Sequence, residues 1–113
     1  MENSNNWQPP RIGEKQPNEV TAYTVAIGNI SLNPLYAKKQ KQALSYIQSL
    51  KGFIGFYPSY PNGTLCIFKT ENDAKVAKNQ MDAKGIQTGK NIGEVFVGKE
   101  YVEDAERRKN DKV

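Results

Sequence analysis

Hydrophobic and polar positions change their spacing several times between residues 22 and 102, and each change marks a predicted element. Val, Ile, Tyr and Thr are concentrated in residues 22–30, which is typical of a strand. Asn33-Pro34 then supplies a cap residue followed by a proline at the first helical position, so we predict a helix over residues 34–50. At about 100° per residue Lys38 and Lys41 lie on one side, and the apolar residues lie on the other: Tyr36, Ala43, Ile47 and Leu50.

The following residues predict a hairpin, a second helix and a final strand. Residues 53–57 and 64–69 are short apolar stretches joined by a cluster of Pro, Asn and Gly, the pattern of a β-hairpin. Thr70 is followed three residues later by an aspartate, as in a capping box, and predicts a helix that ends at Gly85. Valines and aromatic residues in 94–102 predict the last strand.

The predicted order of strand, helix, strand, strand, helix and strand defines an α+β fold. It is the split arrangement called ferredoxin-like, βαββαβ, in which a four-stranded antiparallel sheet carries two helices on one face. We expect this domain to occupy residues 20–102. The flanking segments carry too few apolar side chains to bury, so residues 1–19 are predicted to be a flexible arm and residues 103–113 a charged tail.

Composition argues against several classes of function. The chain has 113 residues, 37% of them hydrophobic, and no apolar run near the ~20 residues that a membrane helix needs. It has no histidine, and its one cysteine, Cys66, has no partner for an internal disulfide. Because the commonest general base and the usual zinc ligands are missing, we expect no enzyme activity, no metal and no cofactor. The polar N-terminus lacks a secretion signal, so we expect a small cytoplasmic protein without membrane contact.

Three short segments resemble the RNA recognition motif (RRM) family. Val25-Ala26-Ile27-Gly28-Asn29-Ile30 is similar to the family's first-strand motif, except that the family has an aromatic residue at the position of Ala26. Residues 68–74, with Ala77 beyond them, resemble the junction between the family's third strand and second helix. Gly89-Lys90-Asn91-Ile92 resembles the run that leads into the fourth strand. The resemblance implies the same fold and an RNA-binding function.

The resemblance also implies a register for the third strand. With Phe68 at the last aromatic position of the family's motif, Gly63, Leu65 and Ile67 face away from the helices and the alternate residues face them. In the family, aromatic residues at the positions of Ala26, Gly63 and Leu65 stack on nucleic-acid bases. None of the three is aromatic here, so the sheet should contribute little of the ~1–3 kcal/mol that each stacked base supplies.

The distribution of charge indicates an anionic partner. The net charge is +4, and no acidic residue occurs between Val20 and Thr70. Lysines in that segment create a positive field. We therefore predict binding of RNA or another single-stranded nucleic acid through its phosphates, with aromatic side chains of the hairpin as displaced stacking platforms. The candidate binding residues are Lys38, Lys39, Lys41, Lys51, Lys69, Phe53, Tyr57 and Tyr60.

The outer sheet face supports a second hypothesis from a different class. Aliphatic side chains facing away from both helices would form an exposed patch, which monomeric proteins seldom leave bare. The N-terminal arm, the C-terminal tail, a second copy of the chain or another protein would cover it, so the alternative function is protein interaction or self-association as a homodimer. The candidate interface residues are Ala26, Leu65, Ile67, Phe96 and Trp7. A third hypothesis, a small-ligand sensor or enzyme, requires a closed pocket.

Overall fold

The computed structural model describes residues 10–28, 34–58 and 63–111. The strands are β1 (Glu19–Ile27), β2 (Phe53–Pro58), β3 (Thr64–Phe68) and β4 (Gly93–Gly98). The helices are α1 (Pro34–Gln48), α2 (Glu71–Ala83) and α3 (Lys99–Asp111). The predicted α+β class is confirmed, and each of the four predicted strands and two predicted helices is present. The third helix was not predicted.

The four strands form one antiparallel sheet in the order β2-β3-β1-β4. β1 lies inside the sheet and pairs with β3 on one side and β4 on the other. Because each neighbouring pair is antiparallel, β1 and β2 run in the same direction with β3 between them. For the same reason β3 and β4 run in the same direction with β1 between them. The chain runs from β1 to β2 through α1, and from β3 to β4 through α2.

One side of the sheet is covered by α1 and α2. Val25 on β1 and both Cys66 and Phe68 on β3 are almost fully buried there, in one cluster with Ile47 of α1. The inward direction predicted for Cys66 and Phe68 is confirmed. The buried residues of α2 are mostly small, which lets this helix lie close to the sheet: Ala74, Ala77 and Met81.

The α2 helix begins with the predicted cap. Thr70 has an extended backbone, and its side-chain oxygen accepts a hydrogen bond from the Asp73 amide at 3.0 Å. The Asp73 carboxylate lies directly against Gly52, where any β-carbon would overlap it. Gly52 also has a φ of 81°, which side chains rarely adopt. Because residue 52 is a glycine, the turn before β2 can lie directly against the start of α2.

α3 covers the opposite side of the sheet, and this corrects the prediction for the end of the chain. The last strand ends at Gly98 instead of continuing to residue 102, and Tyr101 and Val102 belong to the helix. Ala105, in the predicted tail, is only 5% exposed. The boundary predicted between residues 102 and 103 thus falls inside α3. The helix packs on apolar residues from all four strands: Ala22, Ile54, Ile67, Val95 and Val97.

α3 packs on the sheet despite its many charges because its apolar residues share one side. Val102 and Ala105 are three positions apart, so they face the same direction on a helix. Charged residues occupy the other side. Among them, Glu106 forms an ion pair with Lys69 at 2.6 Å, which links the helix to the end of β3. The charge that suggested a tail therefore belongs to the solvent side of an amphipathic helix.

The segment before β1 lies along the outer edge of β4. Arg11 and Phe96 exchange two backbone hydrogen bonds, with N–O distances of 2.9 and 2.7 Å. The Arg11 guanidinium also donates to both carboxylate oxygens of Glu19, at 2.8 and 2.6 Å. Arg11, within the predicted arm, is thus attached to the folded domain. Trp7 lies outside the described residues.

Candidate functional site

Three exposed lysines occur within four consecutive residues of α1. Lys38, Lys39 and Lys41 all have exposed side chains, and the first turn of the helix carries no acidic residue. In the described part of the chain, no carboxylate lies within ion-pair distance of any of the three. Lys51, just before β2, is also exposed and has no ion-pair partner among the described residues. These four predicted residues are therefore placed where an anion could reach them.

Lys69 differs from the other predicted lysines because it has a partner. Its ammonium group lies 2.6 Å from a carboxylate oxygen of Glu106 on α3. This pair is about half exposed on both sides, so it contributes at most ~1 kcal/mol to stability. It nevertheless places a compensating negative charge next to Lys69. The sequence-based argument counted Lys69 as uncompensated, and the packing of α3 corrects this.

A groove runs between α1 and the end of α2. Its volume is about 640 Å³, and its lining combines cationic, amide and apolar side chains. On the α1 side the lining includes Lys39, Gln40 and Tyr46. On the α2 side it includes Lys84 and Ile86. A smaller cavity of about 240 Å³ shares several of these residues and extends the groove to the end of β1.

Tyr46 and Lys84 form the centre of this groove. The Lys84 ammonium lies 5.1 Å from the centre of the Tyr46 ring, in a cation–π contact. Lys84 follows the last residue of α2, and Gly85, with a φ of 83°, turns the chain away from the helix. We call Lys38, Lys39, Lys41, Tyr46 and Lys84 together the α1 surface. It offers ammonium groups to an anion, and the glutamine side chains that line the groove add neutral hydrogen-bonding groups.

A hydrogen-bond network holds the α2 side of the groove. Lys78 donates to Asp82 at 3.1 Å and to Thr88 at 2.8 Å, and the Thr88 hydroxyl donates to Asp82 at 2.7 Å. The hydrogen bonds from Thr88 and Lys78 lower the pKa of Asp82. Further along, the Gly89 amide donates to the Ala26 carbonyl at 2.7 Å. The segment after α2 is thereby attached both to its own helix and to β1.

The two described residues of the predicted stacking set, Phe53 and Tyr57, do not form one surface. Phe53 is only 9% exposed and packs in the core, edge-on to Phe68 with ring centres 5.8 Å apart. It has no free ring face for a base, so its proposed role was wrong. Tyr57 is half-buried and lies on the α3 side of the sheet, opposite Leu65 of β3. Tyr60 lies outside the described residues.

The described residues of the predicted interface do not form the exposed patch that was expected. Ile67 does face away from α1 and α2, but it is 1% exposed because α3 covers it. Ala26 and Leu65 are paired neighbours and half-buried. Phe96 pairs with Thr21, and paired residues lie on the same face of a sheet. Thr21 is on the face covered by α1 and α2, so Phe96 is on that face too and not on the predicted outer one. The aliphatic patch is therefore much smaller than predicted. The fifth residue of this set, Trp7, lies outside the described residues.

The pKa values of Glu19 and Cys66 are also shifted, and neither residue belongs to the α1 surface. The hydrogen bonds from Arg11 and from the Gln16 amide lower the pKa of Glu19 to about 2. Burial raises the pKa of Cys66 to about 12, so this thiol is an inert core residue. Among the described residues, no three His, Cys, Asp or Glu side chains are grouped so that they could hold a metal ion.

Sequence reasoning missed Tyr46 and Lys84. Both were visible as residues, Tyr46 on a predicted helix and Lys84 directly before a predicted helix end. Their proximity depends on how α1 and α2 lie side by side, and no local signal reports this.

Comparison of the chain with protein-family models, curated proteins and solved structures finds no match. No helix in the described ranges is long and apolar enough to cross a membrane.

Proposed function

We propose that this chain is a non-enzymatic binding module that holds RNA or another single-stranded nucleic acid through its phosphates. The α1 surface is the binding site. The observation that carries the proposal is the set of three exposed lysines within about one turn of α1, which have no carboxylate partner among the described residues. Elsewhere on the domain, cations such as Arg11, Lys69 and Lys78 are paired with acids.

Phosphate binding accounts for the chemistry of this surface. Lysine ammonium groups contact phosphates as point charges and carry no information about base sequence. Neighbouring Lys39 and Lys84 line the same groove, so a phosphate at its rim could approach both. Binding of this kind releases counterions and weakens steeply as salt increases. We therefore expect modest, salt-sensitive affinity with little sequence preference.

The proposal includes a ferredoxin-like fold and kinship with the RRM family. Its support is the strand order β2-β3-β1-β4, with helical connections between the two pairs of parallel strands. The sheet is not the proposed binding face. Ala26 and Leu65 offer no ring to a base, and α3 occupies much of that side of the sheet. With the sheet face excluded, a helical surface is where such a domain would contact nucleic acid.

The alternative, protein interaction through the outer sheet face, has less support. It relied on a row of exposed aliphatic side chains, and Ile67 at its centre is buried under α3. What remains is the half-buried row of Tyr57, Leu65 and Ala26. A patch of three partly covered residues is ordinary on a monomer and needs no partner.

Fluorescence anisotropy with labelled, mixed-sequence single-stranded RNA and DNA tests the proposal. The variant combines Lys38→Gln, Lys39→Gln and Lys41→Gln. The control removes the same charge from three other exposed lysines: Lys15, Lys75 and Lys99, each changed to Gln. We expect the first variant to bind about tenfold more weakly at low salt and the control to change much less. Equal weakening of both, or no binding by the unmodified chain, would rule the α1 surface out.

A further inference from the structure

We propose that the outer edge of β2 binds an extended acidic peptide as an additional strand. The two edges of the sheet differ. The outer edge of β4 is occupied, because Arg11 exchanges two backbone hydrogen bonds with Phe96. β2 pairs with β3 on one side only, and no other described segment pairs with its outer edge. At the start of β2 the Phe53 amide donates to the Leu50 carbonyl at 3.2 Å, so the backbone with which another chain could pair lies beyond residue 53.

A cleft of about 260 Å³ lies along this edge. Its lining includes four consecutive residues of β2, 53–56. Phe53 belongs to the core on the α1 side and Ile54 to the core on the α3 side, so the cleft opens onto the edge and not onto one face. Gln48 of α1 lines it from one side, and Ala105 and Arg108 of α3 from the other. An added strand would therefore lie between a side chain of α1 and side chains of α3.

β2 has only some of the features that usually protect an edge strand. None of its six residues is charged, and its one proline stands at its last position. A register shift between Phe53 and Gly55 leaves Ile54 as an extra residue, and such irregularities limit the length over which another strand can pair. The regular part runs from Gly55 to Pro58, so we expect an added strand to pair over only a few residues.

The charge around the cleft determines the partner. Arg108 is exposed and lines the cleft, whereas its neighbour Arg107 is paired with Asp104 at 3.0 Å. Lys51 adds a second exposed cation just before β2. A second copy of the chain would bring the same cations together, which disfavours pairing between two β2 edges. An acidic side chain on an extended peptide would instead meet Arg108.

Two short synthetic peptides test this inference on the full chain labelled with nitrogen-15. Both alternate Thr and Val and are acetylated and amidated; one carries a central Glu and the other a central Lys. We expect the acidic peptide to shift the amide signals of residues 53–58 and to bind about tenfold more tightly than the basic one. Arg108→Glu should reverse this preference, and Arg107→Glu on the same helix should preserve it.

Other occupants would give different results, and each would overturn the inference. Shifts confined to α1 that disappear with Lys38, Lys39 and Lys41 changed to Gln would mean that the peptide binds the α1 surface. A dimer in analytical ultracentrifugation with slow amide exchange in β2, before peptide is added, would assign the edge to a second copy. Equal affinity for both peptides would remove the role of Arg108. None of these results depends on nucleic-acid binding.

Discussion

The hydroxyl of Tyr101 on α3 lies directly over Gly55 on β2, at the point where a side chain at position 55 would begin. A β-carbon built on Gly55 would overlap the Tyr101 oxygen and would lie 3.3 Å from the ring carbon that bears it. Gly55 pairs with Ile67, which is buried under the same helix. The absence of a side chain at Gly55 therefore lets α3 approach the sheet on the side of β2.

This contact predicts a coupled pair of substitutions. Gly55→Ala should lower the free energy of unfolding by about 1–3 kcal/mol, because the new methyl group displaces the Tyr101 side chain. In a chain that also carries Tyr101→Phe, the same alanine should cost clearly less. Urea unfolding of the four chains gives the coupling energy directly. Additive effects would mean that Tyr101 does not rest on Gly55.

The burial of Ile67 gives a second prediction, with Leu65 as its matched control. Both residues face the α3 side of β3 two positions apart, but Ile67 is 1% exposed and Leu65 is half-buried. Ile67→Ala should lower the free energy of unfolding by about 2–5 kcal/mol, and Leu65→Ala should cost noticeably less. Guanidinium or thermal unfolding measures both. Similar small losses would indicate that α3 leaves the sheet uncovered.

The ion pair between Arg11 and Glu19 predicts a dependence on acid. Arg11 and the Gln16 amide lower the pKa of Glu19 from 4.5 to about 2, so the folded chain favours the ionised carboxylate. The stability that this provides is complete above about pH 4.5 and is lost as the pH falls through about 2. Glu19→Gln should therefore lose less stability on acidification than the unmodified chain.

Arg11→Gln checks the cause of this effect. It removes the guanidinium that lowers the pKa, so it should flatten the same part of the curve of stability against pH. The double variant should give the same curve as Glu19→Gln alone, because the Gln16 amide still lowers the pKa of Glu19 when only Arg11 is replaced. Urea unfolding at several pH values provides the measurement. An undiminished acid-induced loss in Glu19→Gln would show that other carboxylates dominate.

The pattern of the sequence was sufficient for most elements of the fold. The spacing of apolar residues, the proline at the start of α1 and the cap at Thr70 located α1 and α2, and the resemblance to the RRM family implied the inward direction of Cys66 and Phe68. α3 was missed because its sheet-facing side consists of few apolar residues among many charges. Gly98 separates it from β4, but a strand continuing to Val102 fits the same local pattern of valines and aromatics.

The candidate site was predictable only in part. Exposed lysines on α1 followed from the period of its apolar residues. The groove did not, because Tyr46 and Lys84 lie 38 positions apart in sequence and meet only through packing. Phe53 was assigned to the surface because an aromatic residue in a hairpin has no preferred side until its partner is known. Its pairing with Phe68, a core residue, decides that it is buried.

The salt dependence of nucleic-acid binding tests the central claim most directly. The slope of log affinity against log salt counts the phosphates contacted, at about 0.7 for each contact with a single strand. Replacing Lys38, Lys39 and Lys41 by Gln should reduce that slope by about 2, and the equally charged control at Lys15, Lys75 and Lys99 should leave it unchanged. An unaltered slope in the α1 variant would contradict the account.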